Sequence, residues 1–368
     1  IRFMKIAFAI PTYNRVEKLN VLINSILEQD FDDSSAEVFC CISNSCSTDA
    51  TTQYLNDLNS EKVKFVIHNQ IEYENGEVKY VASGDNFLRL VSLIPVEAEW
   101  VWFLGDDDYL TDNNAINRLI TIIREQNDPA LKLIHACQAR RSCHTEQVFK
   151  GTLFDLCNSM GFHEVLGWIS SLIVDRNQFV TALTGQRNRL SESAYAHSAA
   201  ILEVCHNDNA LFIDSAWVEP QDMEQTPETI ERWQKENTGE RYFGVVDDLK
   251  ALYDEKILEK KCKLIFFRYL TYSFWDRYIC YLIVDAVNSS QISERAAEHW
   301  NRVLTIADML EDPAEQKLHR SYVQSVFAEV ESYIKQLNEV NQKKAKLIEL
   351  HSNQAYPVYP FTNLDKEA

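Results

Sequence analysis

The chain has 368 residues, of which 46% are hydrophobic and 11% aromatic, and its formal net charge at pH 7 is −19. This size and composition are typical of a globular protein with one sizeable domain and a smaller one. Contacts to nucleic-acid phosphates need clustered lysine and arginine, so the acidic balance argues against a nucleic-acid partner and against broad attraction to anionic lipid.

The nine cysteines have neither the spacing of a metal site nor that of a disulfide framework. We therefore expect reduced thiols in a cytoplasmic protein, with contact at the inner face of the cell membrane left open. Residues 1–3 precede Met4, the expected natural start, and no secretory signal is visible. The apolar stretch 264–287 contains Arg268 and Asp276, charges that argue against a transmembrane helix.

Apolar strands alternate with amphipathic helices from the first residues onward, a pattern that predicts a parallel α/β sheet. The predicted strands cover residues 5–10, 37–42, 63–68, 100–104, 131–137, 168–174 and 210–218. The predicted helices cover residues 19–27, 51–58, 87–93, 114–124 and 192–205.

From residue 244 the pattern becomes mostly helical. The aromatic residues of 264–287 favour a buried packing layer over a sugar platform, and 322–350 predicts one long helix that packs on the body or pairs with another chain. We expect a domain at 1–225 (a nucleotide-binding half, 1–110, and an acceptor half, 111–225), a helical domain at 226–355 and a flexible tail at 356–368.

The run WVWFLGDDD, residues 100–108, is a short apolar strand followed by one glycine and three aspartates. Parallel sheets place ligands at the carboxyl ends of their strands. Three unpaired carboxylates there repel one another, and Mg²⁺ or Mn²⁺ resolves that conflict because these ions prefer carboxylate oxygens. A helix N-cap explains an aspartate such as Asp112, but not three at a strand end.

Three further polar motifs lie near strand ends: PTYNR at 11–15, SNSCSTD at 43–49 and SGDNF at 83–87. We expect the first two to share the sheet edge of the aspartates and to bind a nucleotide, with Arg15 on a phosphate. Helix capping by Asn14, Ser47 and Asp49 is the alternative reading of each residue taken alone.

These motifs carry a resemblance to a known family. AIPTYNR (9–15), SILEQ (25–29), ISNSCSTDAT (42–51), the Asn86 segment and FLGDDD (103–108) resemble family 2 glycosyltransferases, strongly over residues 4–125 and more weakly to about 220. GWISSLIV (167–174) resembles the acceptor-side strand of abequosyltransferase-like enzymes that build lipopolysaccharide or capsule. The resemblance implies an α/β GT-A fold, Rossmann-like with a mostly parallel sheet, and leaves the helical C-terminal region uncovered.

The resemblance also implies an activity: an inverting, metal-dependent transfer of a sugar from a nucleotide-sugar, in the first place a UDP-sugar, to a saccharide or lipid-linked acceptor in bacterial surface-polysaccharide synthesis. It implies that Asp106 and Asp108 hold Mn²⁺ or Mg²⁺. It implies a nucleotide-sugar site formed by Pro11, Tyr13, Arg15, Asn44, Asp49, Asp85, Asn86, Asp106 and Asp107. Asn44 and Cys46 depart from the aspartate and glycine usual in the family, which leaves cytidine, guanosine and thymidine donors open.

The catalytic base is less well marked, because the acidic pair usual in the family is missing from the expected region. The candidate catalytic residues are therefore Glu192 and His197, in addition to Asp108. A histidine titrates near cellular pH, but His197 can equally pack or bind the acceptor, and Glu192 can serve as a helix-start acid. Trp168 and Ser170 are candidate acceptor-binding residues, with core packing as the alternative for Trp168.

Two other functions remain open at this point. A GT-A-like nucleotidyltransferase shares the fold, although PTYNR lacks its long glycine-rich phosphate loop. A non-catalytic sugar- or nucleotide-binding module fits the missing acidic pair. A homo-oligomer through the C-terminal helices is a further alternative.

Overall fold

The structure is a computed structural model. It describes residues 3–31, 35–69, 72–78, 81, 83–139, 142–185, 193–222, 227, 231, 239–258, 262–268, 270, 275–289 and 291–352. The predicted flexible tail at 356–368 and Glu192 lie outside these residues.

In the part of the chain that the structure describes, nine strands form one sheet in the order β3-β2-β1-β6-β10-β8-β11-β7, with β9 paired to β11, and β4 and β5 form a small hairpin. The strands are β1 Met4–Thr12, β2 Ala36–Asn44, β3 Val63–His68, β4 Tyr73–Glu74, β5 Glu77–Val78, β6 Trp100–Phe103, β7 Asp108–Leu110, β8 Leu131–Gln138, β9 Val148–Thr152, β10 Leu172–Asp175 and β11 Asn209–Pro220. Every predicted strand is present. The strand predicted at 168–174 begins later, because Ile169–Ser171 forms a 3-10 turn first.

The sheet is parallel in its first half and mixed in its second. β1 pairs parallel with both β2 and β6, and β2 pairs parallel with β3. β10 runs antiparallel between β6 and β8, and β7 and β9 run antiparallel to β11. The prediction of a parallel sheet is therefore confirmed for the half that carries the nucleotide motifs.

Helices cover both faces of the sheet. They are α1 Val16–Leu27, α2 Thr51–Asp57, α3 Ser83–Leu93, α4 Ala115–Gln126, α5 Leu153–Met160, α6 Phe162–Leu166, α7 Arg176–Thr184, α8 Ala196–Cys205, α9 Gly239–Asp254, α10 Trp275–Ser289, α11 Glu294–Leu304, α12 Ile306–Met309 and α13 Pro313–Ser352. The long helix predicted at 322–350 is confirmed as part of α13.

Strand β1 divides the core into two layers because successive side chains point to opposite faces. Ile6 and Phe8 lie in the layer that α1 and α4 cover. Ala7 and Ala9 lie in the other layer, which continues without a break into Trp300 and other residues of the C-terminal helices. The C-terminal helices thus pack on the same core as the sheet.

The long helix α13 begins in this core and leaves it. Val323 is fully buried and Ile334 is 4% exposed, whereas Val340 and Leu347 are exposed. Within the described residues, no helix has the length and hydropathy needed to cross a membrane.

Candidate functional site

The carboxyl ends of β1, β2 and β6 meet at one edge of the sheet. Thr12 at the end of β1 is in register with Asn44 at the end of β2, and Ala9 is in register with Phe103 at the end of β6. The backbone continues this pairing, since the Ser45 N–H donates to the Thr12 carbonyl at 2.8 Å. The expected convergence of PTYNR, SNSCSTD and the aspartates at one edge is therefore present.

Asp106 is anchored to the loop after β1. Its carboxylate accepts a hydrogen bond from Thr12 Oγ1 at 2.7 Å and one from Arg15 Nη1 at 2.6 Å. The same Arg15 nitrogen lies 3.2 Å from Asp107 Oδ2. One guanidinium thus bridges two neighbouring carboxylates of the triplet Asp106–Asp108.

Asp108 is held from the opposite side by the turn before β10. The buried Ser170 hydroxyl donates to Asp108 Oδ2 and accepts the Gly105 N–H at 2.8 Å. A Cβ at position 105 would lie 2.8 Å from Asp108 Oδ2 and 3.1 Å from Asp107 Oδ1. The absence of a side chain at Gly105 therefore leaves a notch on which two carboxylate oxygens converge.

Burial disfavours the charged forms of Asp106 and Asp108, the two buried carboxyl groups of this triplet. Burial first, and then the neighbouring Asp107, raise the pKa of Asp108 to about 8. Burial likewise raises the pKa of Asp106 above its ordinary value, even though Arg15 opposes the shift. For Arg15, burial works to lower the pKa, but Asp106 and Asp107 outweigh it and hold the pKa above its ordinary range. The single guanidinium of Arg15 is thus too little to offset the burial of both Asp106 and Asp108.

The donor set fits a divalent cation in chemistry, because carboxylate oxygens are the preferred ligands of Mg²⁺ and Mn²⁺. Across the described residues, however, no three His, Cys, Asp or Glu side chains already form a group that could hold a metal ion. Asp106 is directed to Thr12 and Arg15, and Asp108 to Ser170.

Asn14 organises the loop after β2 around the loop after β1. The Asn14 N–H donates to Ser47 Oγ at 2.8 Å, and Asn14 Oδ1 accepts the Thr48 N–H at 2.7 Å. Asp49 accepts the N–H groups of Val16 and Thr51, at the starts of α1 and α2. The capping alternative describes Asp49 well, and it is compatible with a place beside a nucleotide.

Asn44 and Asn86 are buried and bonded within the protein. Asn44 Nδ2 donates to Asn69 Oδ1 at 2.7 Å and to Thr52 Oγ1 at 3.1 Å. Asn86 exchanges two hydrogen bonds with Ser43, at 2.6 and 3.0 Å. As placed, both asparagines shape the loops at the sheet edge and present no free amide to a base or ribose.

The other proposed nucleotide residues are more open. Asp85 is exposed in the first turn of α3, whereas Pro11, near the end of β1, and Tyr13, directly after it, are half-buried. Pro11 and Tyr13 thus lie at the sheet edge that carries the triplet, and Asp85 lies next to Asn86, which bonds Ser43 near the end of β2.

The acceptor-side residues have a mixed outcome. His197 is buried in α8, and burial lowers its pKa to about 4. Trp168 is half-buried and packs against the α1 and α4 layer, in keeping with the core alternative. Ser170 is fully buried and bonded to Asp108, so it braces an acidic side chain instead of facing an acceptor.

Two site residues were missed from the sequence. Thr12 bonds Asp106, and Gln221 bonds the backbone carbonyls of Asp107 and Asp108 at 2.8 and 3.0 Å. Gln221 reaches the triplet because Pro220 of β11 pairs with Asp108 of β7. For Thr12 the available signal was its place in the PTYNR motif, and for Gln221 it was a polar residue three positions after the predicted strand 210–218.

The comparisons with known proteins agree with this geometry. Residues 7–142 match the family model described as Glycosyl transferase family 2. Residues 7–142 thus carry the sequence signature of a family 2 glycosyltransferase domain. A stretch of 126 residues is 37% identical to abequosyltransferase RfbV of Salmonella typhimurium, covering 34% of each chain. Another, of 128 residues, is 32% identical to poly(ribitol-phosphate) β-N-acetylglucosaminyltransferase TarS of Staphylococcus aureus, covering 35% of this chain and 20% of TarS. The matches thus span about a third or less of either relative.

Similarity of fold extends further than similarity of sequence. The structure of S. aureus TarS 1–349 in complex with UDP superposes with a TM-score of 0.54 at 15% identity, covering 89% of this chain and 92% of that one. The complex of the same fragment with UDP-GlcNAc gives a TM-score of 0.53 at the same coverage. The glycosyltransferase domain therefore has a GT-A-like fold, and the likeness reaches into the helical C-terminal region.

Proposed function

We propose that the protein is an inverting, metal-dependent glycosyltransferase that moves a sugar from a UDP-sugar to a saccharide or lipid-linked acceptor in bacterial surface-polysaccharide synthesis. One observation carries the proposal: an acidic triplet with two buried carboxylates, bridged by Arg15, lies where three strand ends meet in a segment that matches the family 2 model. The names of the two relatives, both bacterial sugar transferases, support the reaction class.

Asp106 and Asp108 are the residues that would hold Mn²⁺ or Mg²⁺, which supplies positive charge to the departing nucleoside diphosphate. Thr12 and Ser170 each hold one of the two carboxylates at this edge of the sheet. Arg15 offers a guanidinium that can pair with a phosphate. The assignment of Pro11, Tyr13, Asp49 and Asp85 to the nucleotide remains part of this proposal.

The uridine assignment rests on TarS, which is described in complexes with UDP and UDP-GlcNAc. The side chains of Asn44 and Asn86 are hydrogen-bonded within the protein. We therefore assign recognition of the base to the more exposed residues near these two asparagines. We place the enzyme in the cytoplasm, at the inner face of the membrane when the acceptor is lipid-linked.

The test of the donor site is a thermal-shift screen of nucleoside diphosphates with and without Mn²⁺. We expect UDP with Mn²⁺ to raise the melting temperature, and we expect Asp108→Ala to lose that rise because a ligand is removed. Asp57→Ala, at an exposed position far along α2, is the matched control and keeps the rise. Indifference of the wild-type protein to every nucleotide would contradict the proposal.

The base is tested with Glu192→Gln and His197→Ala, assayed for transfer from a labelled UDP-sugar and for UDP binding. We expect loss of the base to abolish transfer while nucleotide binding persists, since the acceptor hydroxyl can no longer be deprotonated. Transfer retained by both variants places the base elsewhere. Nucleotide binding without any turnover by the wild-type protein favours a non-catalytic module.

A further inference from the structure

Arg15 lies directly against the triplet. Its Nη1 lies 2.6 Å from Asp106 Oδ1 and 3.2 Å from Asp107 Oδ2, and the Arg15 side chain is only 20% exposed. The residue immediately precedes α1, where its carbonyl accepts the Leu19 N–H at 2.8 Å. The backbone at Arg15 is therefore fixed, and the long side chain is the part that can move.

The contact uses only a small part of the bonding capacity of the guanidinium. Both carboxylates are met by the single nitrogen Nη1, and the buried Nε has no hydrogen-bond partner among the residues that the structure describes. A guanidinium bonds a carboxylate or phosphate best through two parallel N–H groups. Arg15 therefore acts as a counter-ion to the carboxylates without forming a bidentate hydrogen bond to either of them.

A divalent cation at the triplet and Arg15 in its present position would compete for the same oxygens. Asp106 Oδ1 is already bonded to the arginine, and like charges at such short separation repel. A diphosphate bound beside the same loop offers the guanidinium a second anionic partner. Arg15 can then release Asp106 Oδ1, which removes both the competition for that oxygen and the repulsion between the two positive charges.

We propose that Arg15 is an internal counter-ion that occupies the acidic triplet until a nucleotide arrives, so that nucleotide and divalent cation bind cooperatively. The inference rests on the proposed function, because it takes the triplet as the metal site and the diphosphate as the second partner of Arg15. By linkage, the nucleotide raises the affinity for the cation by the same factor as the cation raises the affinity for the nucleotide.

The test measures Mn²⁺ binding to the full chain through the electron paramagnetic resonance signal of free Mn²⁺, with and without UDP. We expect wild-type protein to bind Mn²⁺ weakly alone and about tenfold or more tightly with UDP, within the usual range of such coupling. Arg15→Gln is expected to bind Mn²⁺ more tightly without UDP and to lose most of the coupling. Arg15→Lys, which keeps the charge, is expected to retain it.

Arg118→Gln is the matched control, because Arg118 also pairs with two acids, Asp112 and Glu146, in a separate cluster. It is expected to behave as the wild-type protein. If Arg15→Gln leaves Mn²⁺ affinity without UDP unchanged while the wild-type protein binds Mn²⁺ and UDP together, the counter-ion role is overturned and the proposed function stands. If the wild-type protein binds neither, the proposed function fails as well.

Discussion

His197 lies among aromatic rings beneath the site. Its ring centroid is 6.3 Å from that of Phe103 and 6.2 Å from that of Tyr195, and its Nε2 lies 3.2 Å from Ser198 Oγ. Burial lowers the pKa of His197 to about 4, so the imidazole is neutral at cellular pH but is a weak proton acceptor. This environment favours a packing or positioning role over general-base chemistry.

The lowered pKa of His197 predicts a pH-dependent stability. The unfolded histidine titrates near 6.5, so the stabilising contribution is complete above that pH and is lost as the pH falls toward the folded value of about 4. Between pH 7 and pH 5 we expect the free energy of unfolding to fall by about 2 kcal/mol from this group alone. Urea unfolding at several pH values measures it.

His197→Gln is expected to flatten that part of the pH profile, whatever its effect on stability at pH 7. His144→Gln, at an exposed position, provides the control. An equal pH dependence in wild-type protein and His197→Gln would show that His197 becomes protonated without cost in the folded state.

At the scale of elements, the turn between α6 and β10 depends on Gly167. A Cβ there would lie 2.3 Å from His163 Cδ2 and 2.5 Å from its Nε2. The His163 ring is itself packed edge-on against Tyr195 at 4.8 Å, so it has little room to retreat. This turn leads directly into Ser170, which holds Asp108.

Gly167→Ala is therefore expected to destabilise the protein by on the order of 1–3 kcal/mol, the usual effect of overpacking. It is also expected to weaken Mn²⁺–UDP binding, since the brace on Asp108 shifts. The measurement is urea unfolding together with a thermal-shift titration. Gly151→Ala is the control, because a Cβ there meets nothing closer than 3.7 Å. Equal effects of the two substitutions would refute the steric account.

The predictable part of the fold is the part governed by local pattern. Residues 100–104 read as a buried strand because every residue there is apolar, and Trp100–Phe103 is indeed buried. The direction of β10 is not visible in this way, since an apolar strand reads alike whether its neighbours run parallel or antiparallel. The three-residue strand β7 is too short to leave a periodic signal, and it begins within the aspartate run.

The candidate site is likewise only partly predictable from the sequence. The place of Arg15 and the aspartates follows from strand ends, so it can be predicted from the sequence. The roles of Asn44 and Ser170 depend on partners distant in the chain, Asn69 in one case and Asp108 in the other. Residue type alone cannot tell a polar side chain that faces a ligand from one that fastens two loops together.

At the scale of the whole molecule, sheet and C-terminal helices share one hydrophobic layer. Leu90 and Phe103 belong to it, as do Phe243, Trp300 and Val323. We retain residue 225 as a proposed boundary between the sheet region and the helical region. The two regions nevertheless share a hydrophobic core. The fold likeness to TarS 1–349 over 89% of the chain fits a helical region that accompanies this sheet.

The stretch that matches the family model stops at residue 142, whereas Ser170 and Gln221, two of the residues that fasten the aspartates, come later in the chain. A fragment that ends at residue 142 would contain the family motifs but lack Ser170 and Gln221. A chimera that uses this domain must therefore include the chain up to Gln221, or Asp107 and Asp108 will lose the hydrogen bonds from Ser170 and Gln221.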